Sequence, residues 1–186
     1  MTPETIFPGP HHDHGHCVAA ALDAADGLCA RRGVRLTTLR RRVLELVWGQ
    51  HEPVGAYLLL EGLKAEGRQA APPTVYRALD FLLEQGLIHR IAHLNAFVGC
   101  RQPELPHTGQ FLVCRRCGIA AEMDDSKVRA AIEHGARAAG FTVHNSVVEI
   151  EGVCARCQES AGSGEKEERG ESAYFAQNRF HPTRSG

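Results

Sequence analysis

Four cysteines in two Cys-x2-Cys pairs carry the most specific chemistry of this 186-residue chain: Cys114 with Cys117, and Cys154 with Cys157. No basic stretch followed by an apolar one opens the sequence, so no secretory signal is read and the cytoplasm is expected. In a reducing compartment such pairs serve as metal ligands or redox centres rather than structural disulfides. Two pairs together suit a tetrahedral Zn2+ site of four thiolates. The 36 residues between them must hold a folded unit, whose start the metal ties to its end. A structural zinc of this kind contributes ~10 kcal/mol or more of apparent binding free energy to folding. A thiol redox switch on the same pairs is the alternative reading. A zinc enzyme is not expected. Zinc deaminases pair His-x-Glu with Pro-Cys-x-x-Cys, but Val113 and Val153 precede the pairs here and His-x-Glu does not occur. Four thiolates also leave no open position for water.

Further candidate donors, about the boundary between the two expected domains, are His89, His93, Cys100, His107 and Glu122. A denser group, HHDHGHC at residues 11–17, puts His11, His12, His14 and His16 in a Pro- and Gly-rich start. Imidazoles on a floppy tail collect metal weakly and without a two-state element to bias.

The elements that must position these groups fall into two sets. Net charge is −1, but residues 31–100 hold ten Lys/Arg against six Asp/Glu, which fits a polyanion partner for that segment. Helical stripes run over about 17–32, from the N-cap Thr37 through Leu39, Val43, Leu46 and Val47, and over about 55–66. A further helix starts at the two prolines of PPTVYRALDFLLEQG and ends at Gly86. Val75, Leu79, Leu82 and Leu83 form its buried stripe, leaving Thr74, Tyr76, Arg77 and Asp80 off it. Two short β-prone runs then flank HLN, as in a small hairpin. Short helices followed by a hairpin describe a winged helix-turn-helix, whose last helix enters a major groove. An Arg there can pair bidentately with guanine, and Thr74 and Tyr76 can donate to phosphates.

After about residue 101 the pattern restarts. GQFLVC and GIAAEM read as strands, DDSKVRAAIEHGARAAG as a helix, and FTVHNSVVEIEGVC as a long strand with apolar Val143, Val147 and Ile150. The fold class is α+β. The expected division is a disordered His-rich tail at 1–16, a winged helix at 17–99, a hinge at 100–108, an α/β dimerisation domain with a four-cysteine structural zinc site at 109–158, and a disordered Gly/Ser/Glu-rich tail at 159–186. The longest apolar runs are far too short to span a bilayer.

Taken together, RGVRLTTLRRRVLELV, PPTVYRALDFLLEQGLIHR and the paired CRRC and CARC resemble the ferric-uptake-regulator family, over roughly residues 17–158. Thr38 and Leu39 stand where that family usually has Pro and Gln. The resemblance implies a winged helix followed by a dimerisation domain, and a homodimer that binds double-stranded operator DNA when loaded with metal. His89, Cys100, His107 and Glu122 match the regulatory site of the zinc-uptake-regulator branch, with His93 as an impostor or substitute. A thiolate among them shifts preference toward softer, tetrahedral zinc. The resemblance thus implies about two Zn2+ per chain, one structural and one regulatory, and a zinc-responsive repressor of zinc-uptake genes. It also implies Tyr57 and Arg77 as base readers and Tyr76 as a backbone contact. Glu61 and Lys64 would then join two dimers on one operator, or else form an ordinary intrahelical pair worth ~0.2–0.5 kcal/mol. Sensing of iron, manganese, nickel or peroxide is the alternative within the family.

Overall fold

The computed structural model describes residues 6–7, 14–50, 52–104 and 109–162. Its first half holds helices α1 (His14–Arg31), α2 (Thr38–Trp48), α3 (Ala56–Ala65) and α4 (Pro72–Glu84), with strands β1 (Val54–Gly55), β2 (Ile88–Ile91) and β3 (Ala96–Gly99). Its second half holds β4 (Gly109–Cys114), β5 (Ala120–Met123), α5 (Ser126–Ala138), β6 (Val147–Gly152) and α6 (Ala155–Gly162). Each half has its own three-stranded sheet, ordered β1-β3-β2 and β5-β4-β6. No helix among the described residues is long and apolar enough to cross a membrane.

Local chemistry accounts for the helix ends. The Thr37 side chain accepts from the Arg40 N–H, and Asp125 accepts from Lys127 and Val128. Each satisfies donors that a first helical turn leaves unpaired. Pro72 and Pro73 open α4, where a missing N–H costs nothing. Gly86 ends it with φ 65°, a backbone that side-chain-bearing residues rarely adopt. On α4, Val75, Ala78, Leu79, Phe81 and Leu82 are buried. They join Val43, Leu44 and Val47 of α2 and Leu59, Leu60 and Leu63 of α3 in one core.

Element bounds differ from the sequence reading at several points. Helix α1 starts three residues inside the expected N-terminal tail, and α6 runs past residue 159 into the expected C-terminal one. Two-residue β1 is too short to leave a periodic signal. The last strand spans only Val147–Gly152, so Val143 is not part of it. Val147 and Ile150 lie on it but are exposed, at 53% and 41%. Thr74 is not among the buried residues of α4, as expected, and is half-buried.

The two halves meet through a second core. Ile91, Leu94 and Ala96 of the hairpin pack with Phe111 and Val113 of β4. Burying an aromatic ring here gives the junction a directional, apolar seat. Just beyond it, Gly99 lies against the ring of Trp48; a Cβ at that position would sit 2.2 Å from the indole. Gly99→Ala is expected to destabilise the protein by about 1–3 kcal/mol through overpacking, read as a lowered thermal midpoint by circular dichroism.

Candidate metal centres

Strands β4 and β6 pair in parallel, Cys114 opposite Gly152. Both therefore run out at the same edge of the sheet. A tight turn follows β4, with Gly118 N–H donating to Cys114 O and Gly118 at φ 77°. It swings Cys117 back beside Cys114. Helix α6 begins directly after Cys154 and carries Cys157 to the same place. One sulfur from each of the four cysteines lies within 4.8 Å of the others. Cys117 Sγ and Cys154 Sγ are 3.8 Å apart. A tetrahedron with Zn–S bonds near 2.3 Å has an S···S edge of ~3.8 Å, so the donor set fits zinc.

The electrostatics agree. Burial raises the Cys114 thiol, but the backbone N–H groups of Cys117, Cys154 and Arg116 outweigh it and bring it down to about 6. Cys154 N–H donates to Cys114 Sγ at 3.4 Å. Burial pushes Cys154 up, and burial with the neighbouring Cys154 and Cys117 sulfurs pushes Cys157 up further. Four thiolates so close hold together only around a cation. Ile119, Val153 and Phe7 pack against the cluster. Phe7 thus gives part of the expected N-terminal tail a fixed, half-buried place.

A second donor set lies where the halves meet. His89 comes from β2, Cys100 follows β3, and Glu122 comes from β5; their ligand atoms lie within 4.8 Å of one another. His89 Nε2 is 3.1 Å from Glu122 Oε1, with side chains only 19% and 9% exposed. Glu122 Oε2 accepts the Arg101 N–H at 3.2 Å. The imidazole also leans on Phe111, ring centroids 5.1 Å apart, which fixes its orientation. Burial, and next the Glu122 carboxylate, push the Cys100 thiol up to about 12. A buried thiol beside a carboxylate gives up its proton readily only to a cation that both can bind. One imidazole, one thiolate and one carboxylate suit zinc better than a harder ion.

His107 lies outside the described residues, as do His11, His12 and the side chain of His14. His16 is exposed on α1 and belongs to neither donor set. His93 stands apart from the second centre, against Glu149 on β6. Sequence reasoning missed Glu149, because only the parallel β4–β6 register carries residue 149 next to residue 111.

Among the proposed DNA contacts, Tyr57 on α3 and Tyr76 on α4 are exposed at 70% and 52%, and Arg77 is exposed too. Glu61 and Lys64 are exposed on α3. Glu61 takes a hydrogen bond from Tyr57 that raises the phenol's pKa, so it has a partner on its own helix.

The helical half with its small sheet joins, through a donor-rich junction, a second sheet that carries a four-cysteine cluster. The chain belongs to the ferric uptake regulator family, whose model matches residues 31–151. It is similar to the zinc uptake regulation protein of Escherichia coli (strain K12), with 42% identity over 139 residues, 74% of this chain and 81% of that protein. Its fold is similar to a solved zinc uptake regulator complexed with zinc and DNA: TM-score 0.74, 40% identity, 78% of this chain and 97% of that one. A crystal structure of holo XcZur gives TM-score 0.70 and 40% identity over 75% of this chain and 98% of that one.

Replacing Cys114 and Cys154 together with Ser is expected to lose one zinc equivalent per chain and to unfold the second half. The ~10 kcal/mol of apparent metal-binding energy matches or exceeds the stability of most domains. Mass-spectrometric metal counting and circular dichroism check this, and full metal retention would contradict it.

Proposed function

We propose that this chain is a zinc-responsive transcriptional repressor, a homodimer that binds operator DNA when zinc-loaded and represses zinc-uptake genes. The convergence of His89, Cys100 and Glu122 from both halves of the chain supports this most directly. His107 completes the proposed regulatory set, and Cys114, Cys117, Cys154 and Cys157 form the structural one, about two zinc ions per chain. His89 and Cys100 from the wing side and Glu122 from the second sheet would hold zinc at the junction. The ion would supply a bond to donors of both halves, and those residues would thereby keep the halves at one angle. Tyr57, Thr74, Tyr76 and Arg77 then face DNA together: Arg77 and Tyr57 at base edges, Tyr76 and Thr74 at phosphates.

The dimer reading rests on unpartnered apolar surface. None of the thirteen residues of α5 is buried, although Val128 and Ile132 mark an apolar stripe. Phe141, Val147 and Ile150 are exposed nearby in sequence, on or before the sheet-edge strand β6. Apolar side chains left exposed on a small domain are the material of an interface. With a dimer, two α4 helices reach successive major grooves. Glu61 and Lys64 remain candidates for contact between two dimers on one operator.

The test uses a duplex selected from random-sequence DNA by the zinc-loaded wild-type protein, followed by anisotropy titration at buffered free Zn2+, Fe2+ and Mn2+. Wild-type binding is expected to respond to zinc at the lowest free concentration. Cys100→Ser is expected to lose most of a zinc-dependent gain of ~100-fold, a coupling of ~3 kcal/mol. Selection of no sequence, or unchanged zinc dependence in Cys100→Ser, would overturn the proposal.

A further inference from the structure

A single row of side chains crosses the second sheet at the junction. Phe111 on β4 is in register with Glu122 on β5 and with Glu149 on β6. Register partners on neighbouring strands project from the same face, so the two carboxylates bracket the phenyl ring. Phe111 itself packs on the hairpin residues Ile91, Leu94 and Ala96. Glu122 meets the hairpin at His89. Glu149 meets it further along, at the turn between β2 and β3.

The Glu149 contact is built in detail. Its Oε1 accepts the Ala92 N–H at 2.5 Å, and its Oε2 accepts the His93 N–H at 3.2 Å. The His93 ring adds Nδ1 at 2.5 Å from Oε2. Glu149 is only 16% exposed at its side chain. A carboxylate held by two amides and an imidazole makes strong, charge-assisted bonds. The receiving turn is itself ordered: Asn95 takes a positive φ of 48°, and the Arg90 guanidinium donates to Asn95 Oδ1 at 2.8 Å. Burial is the largest single influence on the Glu149 carboxyl and raises it. Hydrogen bonds from His93 and the two amides together outweigh burial and hold the carboxyl below its ordinary pKa.

From this row we infer that Glu149 is a positioning residue: a metal-independent clasp on the wing turn that pre-sets the angle which ligand binding at His89, Cys100 and Glu122 completes. This rests on the reading of the chain as a zinc-dependent DNA-binding protein. The hairpin pivots on Phe111, with one restraint on each side of the ring. Glu122 acts through the metal centre. Glu149 acts through the turn amides with or without metal, so it raises the share of chains already in the metal-ready arrangement. A ligand's apparent affinity scales with that share. The clasp therefore sets the free-zinc threshold of the response and leaves the fully loaded state nearly unchanged.

Wild type, Glu149→Ala and His93→Ala are compared in the full chain, on the selected duplex at buffered free zinc. Glu149→Ala is expected to raise the zinc concentration for half-maximal DNA binding by roughly 5- to 20-fold, with affinity at saturating zinc changed by less than about 3-fold. The zinc of the four-cysteine centre stays bound. His93→Ala keeps both amide bonds and shifts the midpoint less. An unchanged midpoint in Glu149→Ala, or an equal loss at every zinc level, would overturn the clasp. Hydrogen exchange separates it from the functional reading. In metal-free protein the amides of Ala92 and His93 are expected to exchange at least ~10-fold faster in Glu149→Ala than in wild type. Equal exchange rates overturn the clasp whatever the DNA result. Wild-type DNA binding that ignores zinc overturns the functional reading alone.

Discussion

Burial of Phe111 between the hairpin and the second sheet is the constraint around which both halves are organised. The ring is 1% exposed, and a Cβ on Gly109 would meet it at 2.7 Å. An apolar contact of this kind resists separation, since exposing an aromatic ring costs several kcal/mol, but it has little preference for one rotation over another. Direction has to come from polar groups at its margin. Those groups are the two carboxylates in register with it, one facing His89 and the other the turn amides. In the proposed reading the junction separates strength from orientation: the ring holds the halves together, and the polar groups at its margin choose the angle.

The two sulfur-bearing centres differ in a way that follows from their backbones. At the four-cysteine cluster a knuckle turn aims backbone N–H groups at Cys114 and brings its thiol down to about 6. That centre closes the loop holding α5 and β6, so folding and occupancy go together. At the junction, burial and then the Glu122 carboxylate keep the Cys100 thiol protonated at neutral pH in the absence of a cation. Its donors come from β2, from the residue just after β3 and from β5, and so from two sheets. Such a centre forms only when the halves are correctly disposed, and this suits conditional rather than permanent occupancy.

Much of this was legible in the chain. The cap Thr37, the paired prolines before α4 and the Gly86 stop act over a few residues, and local rules read them. The Cys pairs were legible because close thiol spacing has few other uses. Cys100, His89 and Glu122 were visible as donors, but only the resemblance joined them, since their meeting depends on two sheets packing. Glu149 gave no signal at all. It lies 57 residues from Ala92 and reaches it through the parallel β4–β6 register, which sequence spacing does not encode. The length of β6 was misread because Val143 continues an apolar alternation that the backbone does not follow. Helix α6 was missed because its second half is composed like a linker.

Trp48 is the only tryptophan in the chain. Its indole lies against Gly99, and Gly99 adjoins Cys100. The molecule therefore has one indole fluorophore, seated where the winged half passes into the junction. Light emitted from that site comes from a single environment, undiluted by distant rings of the same type. The packing that crowds the backbone at Gly99 thus equips the protein with an intrinsic optical probe of the junction between its halves.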